Sequence, residues 1–408
     1  MTTRDAVRLT PAFARLAWSN LCAQFSEQVA LAAAPLVAVL VLGADASDTG
    51  ILQTAQTLPF LLLSVPAGVL ADRSSRRKLM AGSEALRAAS LVCIMGLVMS
   101  GNLTLVLLAA LGFLGAVGTV CYSVTAPALV PSIVPRERLA SANRWLELAR
   151  STAFAAGPAV GGAVVGWTGA PVGYALATGL SLYAVILLAG LPEPARSNAA
   201  RRNLGHELRE GAAFVLGHRY LRPILVTAIV FNTAWFILQA VYVAYAVQQL
   251  HLTAAGVGAT LGLYGIGMMT GALLASALAR RVRFGATIAA GPLSALVAAC
   301  LMLATVAYPS VALAGASFFL FGAGPILWTI STTTLRQALT PDAMLGRVSA
   351  LIVTATFGAR PIGAAIGAAA AARFGVDACL VVSAAGFAVQ FLVLFTSPVP
   401  RLSELPQR

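Results

Sequence analysis

The chain has 408 residues, 59% of them hydrophobic and only 10% charged, where a soluble domain carries about a quarter charged. With a mean hydropathy of +0.86, the composition excludes a soluble globular protein and indicates a polytopic membrane protein. The net charge of +13 does not call for nucleic acid, because the basic residues fall almost wholly in short loops between apolar runs, as the positive-inside rule describes.

Twelve apolar runs follow one another, at roughly 13–42, 49–71, 79–100, 103–126, 145–168, 171–191, 222–249, 255–279, 285–307, 310–334, 348–372 and 375–397. A hydrocarbon core of about 30 Å needs roughly 20 apolar residues to cross as a helix, so each run is long enough to span. The connections alternate. Arg73 to Lys78, Arg136 to Arg144, Arg196 to Arg222, Arg280 to Arg283 and Arg336 to Arg347 fall on one side. Asp45 with Asp48, Gly101-Asn102, His251, Tyr308-Pro309 and Arg373 near Asp377 fall on the other. The asymmetry predicts cytoplasmic termini and a cytoplasmic middle loop. Arg4, Arg8 and Arg15 precede a first run too long for a signal-peptide core, so that helix is expected to stay.

The division that follows is an N-terminal six-helix bundle at 1–191, a linker at 192–221, a C-terminal bundle at 222–397 and a tail at 398–408. The polar linker holds a stretch from Gly205 to Leu216 that reads as an amphipathic helix on the membrane surface. His206 and His218 read there as solvated residues, with no metal role. Cys22, Cys93, Cys121, Cys300 and Cys379 lie inside apolar runs with no close pair, so neither a disulfide framework nor a metal site is expected. A weak repeat links the halves: Pro135-Arg136-Glu137-Arg138-Leu139 returns as Pro341-Asp342-Ala343-Met344-Leu345, and Gly50 opens its run much as Gly258 does.

Two motifs are specific. Between the second and third runs the order is Gly68-x-x-x-Asp72-Arg73-x-x-Arg76-Arg77. Gly68 is read as admitting a close backbone, and Asp72 as an acid at a membrane-helix end that calls for a partner. The fifth run contains Gly157-Pro158-x-x-Gly161-Gly162. Proline there removes a helix hydrogen bond and the glycines permit close helix approach. The first motif resembles the signature between helices two and three of the major facilitator superfamily, with Ser75 where glycine is usual. The second resembles the antiporter motif of its proton-driven exporters, with Ala153 at the usual preceding glycine. Ser26-Glu27, the segment from Ala126-Pro127 to Asn143, and Leu335 to Ser349 together resemble the enterobactin-exporter-like branch, which also contains drug exporters. The resemblance covers essentially the whole chain. It implies an all-α membrane protein of twelve helices in two pseudo-symmetric six-helix bundles, and export from the cytoplasm, usually against protons. From Leu103 to Val130 there is no charge, so the span-four arginine of many drug exporters is missing.

Charges deep in the apolar runs are the site candidates. Glu27 lies twelve residues after Arg15, and Arg360 thirteen after Arg347, which at 1.5 Å per residue places both near mid-membrane. They are expected to pair across the halves and to carry proton coupling. Phe231, Asn232, Trp235 and Gln239 lie at similar depth in the seventh span and suit a large amphipathic ligand. Arg144, Glu147 and Arg150 share one helix face, and Glu84 with Arg87 at the start of span three reads as a similar local pair. Asp72 is expected to latch the start of span eleven near Gly346-Arg347, and Gly161 to pack span five on span eight.

The expected function is secondary active export of a small organic molecule by proton antiport and alternating access, by a monomer in the cell membrane. Its partners are cargo, protons and lipid, with no nucleic acid. No G-x-x-x-x-G-K-[ST] pattern occurs, so ATP hydrolysis is not expected; the protein is read as a non-enzyme without a cofactor, with the proton gradient as its energy source. Proton-coupled or facilitated uptake, and a non-transporting receptor or scaffold, are the alternatives.

Overall fold

The computed structural model describes residues 11–134, 139–192, 204–341 and 344–405. Its elements are α1 (Pro11–Leu40), α2 (Ala46–Arg73), α3 (Arg76–Met99), α4 (Leu105–Ile133), α5 (Leu139–Thr168), α6 (Ala170–Ala189), α7 (Leu204–Gly217), α8 (Leu221–Gln248), α9 (Ala254–Arg281), α10 (Phe284–Ala307), α11 (Val311–Leu339), α12 (Leu345–Phe374) and α13 (Val376–Phe395), with a 3-10 turn at Val399–Arg401. Among the described residues there is no strand. Ten of the helices are long and apolar enough to cross a membrane. The spans α2 and α5 are as long, at 28 and 30 residues, and carry polar groups inward. The protein is an all-helical, multi-pass membrane protein with α1–α6 and α8–α13 as its two helical sets.

The ends of these helices explain several loop residues. Asp45 and Asp48 form a capping box at the start of α2: the Asp48 N–H donates to Asp45 Oδ1 at 2.8 Å and the Asp45 N–H to Asp48 Oδ2 at 3.2 Å. Ser75 caps α3 by accepting from the Lys78 N–H at 3.2 Å, with φ −64°. The turn between α2 and α3 therefore needs no glycine at that position. Gly169 and Gly375, 206 positions apart, both turn with positive φ (90° and 81°) at the α5–α6 and α12–α13 corners. Gly43 (φ 67°) and His251 (φ 52°) do the same at the α1–α2 and α8–α9 corners. These matched backbone corners are a clearer sign of internal symmetry than the sequence repeat, several of whose residues (135–138, 342 and 343) lie outside the described residues.

Contacts inside the two sets correspond as well. In the first, α1 packs on α5 and α6; in the second, α8 packs on α12 and α13. Across the sets, α5 meets α9 and α2 meets α12. The α5–α9 seam is built from small residues: a Cβ at Gly162 would lie 2.7 Å from Gly258 Cα, and one at Gly166 3.2 Å from the Ala255 nitrogen. At Gly50 a Cβ would lie 2.7 Å from Ala368 Cα on α12, and Gln248 Nε2 donates to the Ala44 carbonyl at 3.3 Å. All of these contacts sit toward the end bearing Asp45, Asp48 and His251. Toward the other end, with the basic loops, Glu147 and Arg150 on α5 are 56% and 38% exposed.

The linker helix α7 forms as expected, but its apolar side is turned to protein rather than to a bare membrane surface. Val215 is buried with Leu221 and Leu225 of α8 and Val348 of α12. Gly211 sits against the Arg347 carbonyl, where a Cβ would approach to 2.8 Å, and Glu210 pairs with Arg347 at 2.6 Å. The linker is thereby fastened to the second set.

Candidate functional site

A cavity of about 470 Å³ lies between the two sets, lined by residues of both. Its first wall is charged. Arg87 on α3 meets Glu84 Oε2, one turn back on the same helix, through Nη2 at 2.6 Å, and reaches α1, where Nη2 donates to the Ala23 carbonyl at 2.7 Å. Its Nη1 lies 3.6 Å from Glu27 Oε2 and donates to Thr119 Oγ1 of α4 at 3.3 Å. Ser181 of α6 donates to Glu84 Oε2 at 2.8 Å. Groups of α1, α3 and α4 therefore meet one guanidinium, and α6 joins the cluster through Glu84. The side chains of Glu84 and Arg87 are 0% and 5% exposed, whereas that of Glu27 is 21% exposed and borders the cavity. Charges at this depth persist only when paired and hydrogen-bonded. Two carboxylates sharing one arginine leave a surplus of one negative charge unless a proton is held, and Glu27 is the carboxylate that the cavity can reach.

Arg150 also lines the cavity. Glu147 holds it from one turn back: Nη2 meets Oε1 at 2.6 Å and Nε donates to Oε2 at 3.0 Å.

The opposite wall is aromatic. Trp235 of α8 stacks on Tyr264 of α9 at 5.1 Å, meets Phe321 of α11 edge-on at 4.9 Å, and lies parallel to Phe231 at 6.4 Å. Such ring pairs are worth about 0.5–1.5 kcal/mol each beyond burial, so this wall is a packed surface that keeps its shape. Its one cation is Arg360 on α12, whose guanidinium lies 4.1 Å from the Phe357 ring centre, 5.4 Å from Phe60 and 5.5 Å from Phe236. Among the described residues no carboxylate is within ion-pair distance of Arg360, and its Nε is buried without a hydrogen-bond partner.

The sequence of this chain matches the transmembrane secretion effector family over residues 9–407. The chain belongs to that family. Its members are membrane transporters of the major facilitator superfamily, not enzymes. Similar curated proteins include an uncharacterized MFS-type transporter, y4rN, of Sinorhizobium fredii, 28% identical over 58% of each chain. The enterobactin exporter EntS of Citrobacter koseri is 27% identical, over 73% of this chain and 71% of that one. The match to y4rN thus spans less than two thirds of that relative's length. Among solved structures, a bacterial homologue of the iron transporter ferroportin in an inward-facing state superposes with a TM-score of 0.74 at 16% identity, covering 94% of this chain and 98% of that one. A POT family transporter in complex with 5-aminolevulinic acid gives 0.77 at 12% identity, covering 95% and 96%. These likenesses establish the fold.

In this transporter, Phe231, Asn232, Trp235 and Gln239 all border the cavity. Glu27 and Arg360 border it too, but the expected direct pair between them does not form. Glu27 turns to Arg87 of its own set, and Arg360 turns to aromatic rings. Helix faces decide this, and depth counting cannot supply them. Glu84 and Arg87 are not a pair at a helix start. Arg76 is the first residue of α3, so Glu84 lies about 12 Å further in, at the heart of the first set. Their spacing inside an apolar run was the available signal. Tyr264, Phe321 and Phe357 carried no such signal, since their role comes from packing between helices.

The glycines divide by face. Gly162 meets α9, whereas a Cβ at Gly161 would lie 3.2 Å from Val29 Cα of α1, inside its own set. One residue is a rotation of about 100° around a helix, so the expectation for Gly161 passes to Gly162. Gly157 faces Gln28 of α1, and Pro158 borders the cavity. Among the described residues Gly68 meets no close backbone: a Cβ there would lie an ordinary 3.8 Å from Val124 Cγ1. Arg77 Nη1 donates to the Leu191 carbonyl at 3.0 Å, tying the α3 start to the end of α6. Arg76 opens α3. The side chains of Asp72 and Arg73, and so the expected latch to Arg347, lie outside the described residues.

Proposed function

We propose that this transporter is a secondary active exporter of a small organic molecule, exchanging cargo for protons by alternating access in the cell membrane. The observation that carries the reading is the division of one cavity into a charged wall and an aromatic wall. Glu27, Glu84 and Arg87 supply a buried site whose charge changes by one with a single proton. Phe231, Trp235 and Tyr264 supply flat apolar faces for a ligand. Family membership as a secretion effector and the likeness to an enterobactin exporter favour the outward direction. The excess of arginine in one set of loops favours a cytoplasmic location for that end and for both termini. On that orientation the glycine seams of α5–α9 and α2–α12 lie at the outer end, where they would form the closed outer gate, and the cavity would be loaded from the cytoplasm. Cargo would enter from the cytoplasm, the halves would rock about the cavity, and Glu27 would take up a proton as cargo leaves.

Everted membrane vesicles with an acid interior test the proposal. Vesicles containing the protein are expected to accumulate aromatic amphiphiles from a labelled panel, and an uncoupler is expected to abolish the accumulation. Accumulation only with the opposite gradient would make the protein an uptake carrier, and no gradient-dependent flux for any compound would remove transport coupled to protons.

A further inference from the structure

The two arginines that border the cavity beside Arg360 are already engaged. Arg87 is held by Glu84, Glu27, Thr119 and the Ala23 carbonyl, and Glu147 grips Arg150 through Nε and Nη2. Arg360 differs from both. Among the described residues no carboxylate pairs with it, rings surround its guanidinium on α2, α8 and α12, its Nε–H, like that of Arg87, is buried without an acceptor, and the cavity is beside it. A guanidinium in a low-dielectric site with a free Nε–H presents the side-on fork that binds a carboxylate or similar anion through two parallel hydrogen bonds. Stacked rings hold the guanidinium plane in place without neutralising it.

The other wall has the opposite sign. Arg87 is shared between two carboxylates, so the Glu27–Glu84–Arg87 cluster carries one surplus negative charge whenever it holds no proton. Glu27 is its member at the cavity surface, and at 3.6 Å its contact with Arg87 is the loosest in the cluster. A cavity with an unmatched cation on one wall, an unmatched anion on the other and parallel rings near by is complementary to a ligand of the same pattern reversed. We infer that the cavity selects an amphoteric aromatic cargo, whose acidic group binds Arg360, whose basic group binds Glu27, and whose flat body lies along Phe231 and Trp235. The inference deepens the export proposal and rests on it. A basic group at Glu27 displaces the proton there, which makes cargo and proton mutually exclusive, as an antiporter requires. An anion alone at Arg360 would favour protonated Glu27 and couple in the opposite sense.

Three naphthalenes of matched shape separate the contributions: 6-aminomethyl-2-naphthoate, its methyl ester, which keeps only the cation, and 6-methyl-2-naphthoate, which keeps only the anion. Binding is read by calorimetry on the purified full chain in lipid nanodiscs. The wild type is expected to bind the amphoteric compound at least about tenfold more tightly than either partner, since hydrogen bonds to charged groups give roughly that factor or more. Arg360→Gln is expected to bind the amphoteric compound and its ester equally. Glu27→Gln is expected to bind the amphoteric compound and the simple naphthoate equally. Retained ester binding in Arg360→Gln shows that the variant is folded, and Arg360→Lys, which keeps the charge without the fork, is expected to fall between. An Arg360→Gln protein that still prefers the amphoteric compound to its ester would overturn the inference, as would equal wild-type binding of all three. The assay needs no gradient, so an amphoteric preference without flux in acid vesicles would leave the site in place and remove the export reading.

Discussion

The two walls of the cavity hold buried arginines that are handled in opposite ways. Arg87 sits in a cluster that draws on four helices of the first set, with two carboxylates, a threonine and a carbonyl around it. Arg360 sits in the second set among rings, with no carboxylate partner among the described residues. Both charges are deep enough to be expensive. One is neutralised by its own protein, and the other is left for a ligand. The contrast separates a wall whose cation is matched within the protein and whose Glu27 exchanges a proton for cargo from a wall whose cation is matched only when cargo arrives.

The contrast sharpens most under removal of a charge. Arg87→Leu leaves Glu27 and Glu84 buried side by side without a cation, and breaking such a cluster by one partner destabilises by about 3–5 kcal/mol. A large fall in the thermal midpoint of the purified protein is expected. Arg360→Leu removes a cation that has no partner to strand, so its midpoint should stay level or rise, even though the preference for the amphoteric ligand over its ester is lost. Equal falls for the two would erase the distinction between the walls.

Gly162→Leu is expected to rank next. The added side chain has no room against Gly258 and Ala254 of α9, and overpacking of this kind is worth about 1–3 kcal/mol. The α5–α9 seam should open, read as labelling of a cysteine placed at Ala255 by an impermeant thiol reagent from the end that bears Asp45. Gly161→Leu pushes instead on Val29 and Ala32 of α1, so it is expected to lower stability with little change in that labelling. The reverse pattern would reinstate Gly161 as the seam residue.

The smallest effect is expected from the linker. The Glu210–Arg347 pair is 37% and 36% exposed, and exposed pairs are worth about 0–1 kcal/mol. Glu210→Gln should shift the thermal midpoint slightly and leave ligand affinity alone, whereas Val215→Ala, at a fully buried position between α7, α8 and α12, should cost about 1 kcal/mol or more.

The fold was legible because its signals are local. Basic loops and apolar runs place α8 at Leu221–Gln248 within a residue of the span read from sequence, and even α2 and α5 stand out by their place in the alternation. Depth along a helix was legible too, which is why Phe231, Trp235, Glu27 and Arg360 all reach the cavity. Direction around a helix was not. Whether Glu27 meets Arg360 or Arg87, and whether Gly161 or Gly162 faces α9, depends on how helices from distant parts of the chain are rotated against one another. The cluster around Arg87 draws on α1, α3, α4 and α6, and no single stretch of sequence contains more than two of its side chains.

The central claim is that cargo displaces a proton from Glu27. Its most direct measurement is proton release in a lightly buffered solution of the purified protein when saturating 6-aminomethyl-2-naphthoate is added, at a pH where Glu27 is protonated in the unliganded protein. The wild type is expected to release close to one proton per chain, and Glu27→Gln, binding the same compound more weakly, none at saturation. Undiminished release from Glu27→Gln would contradict the account, and so would saturable binding to the wild type with no release at any pH.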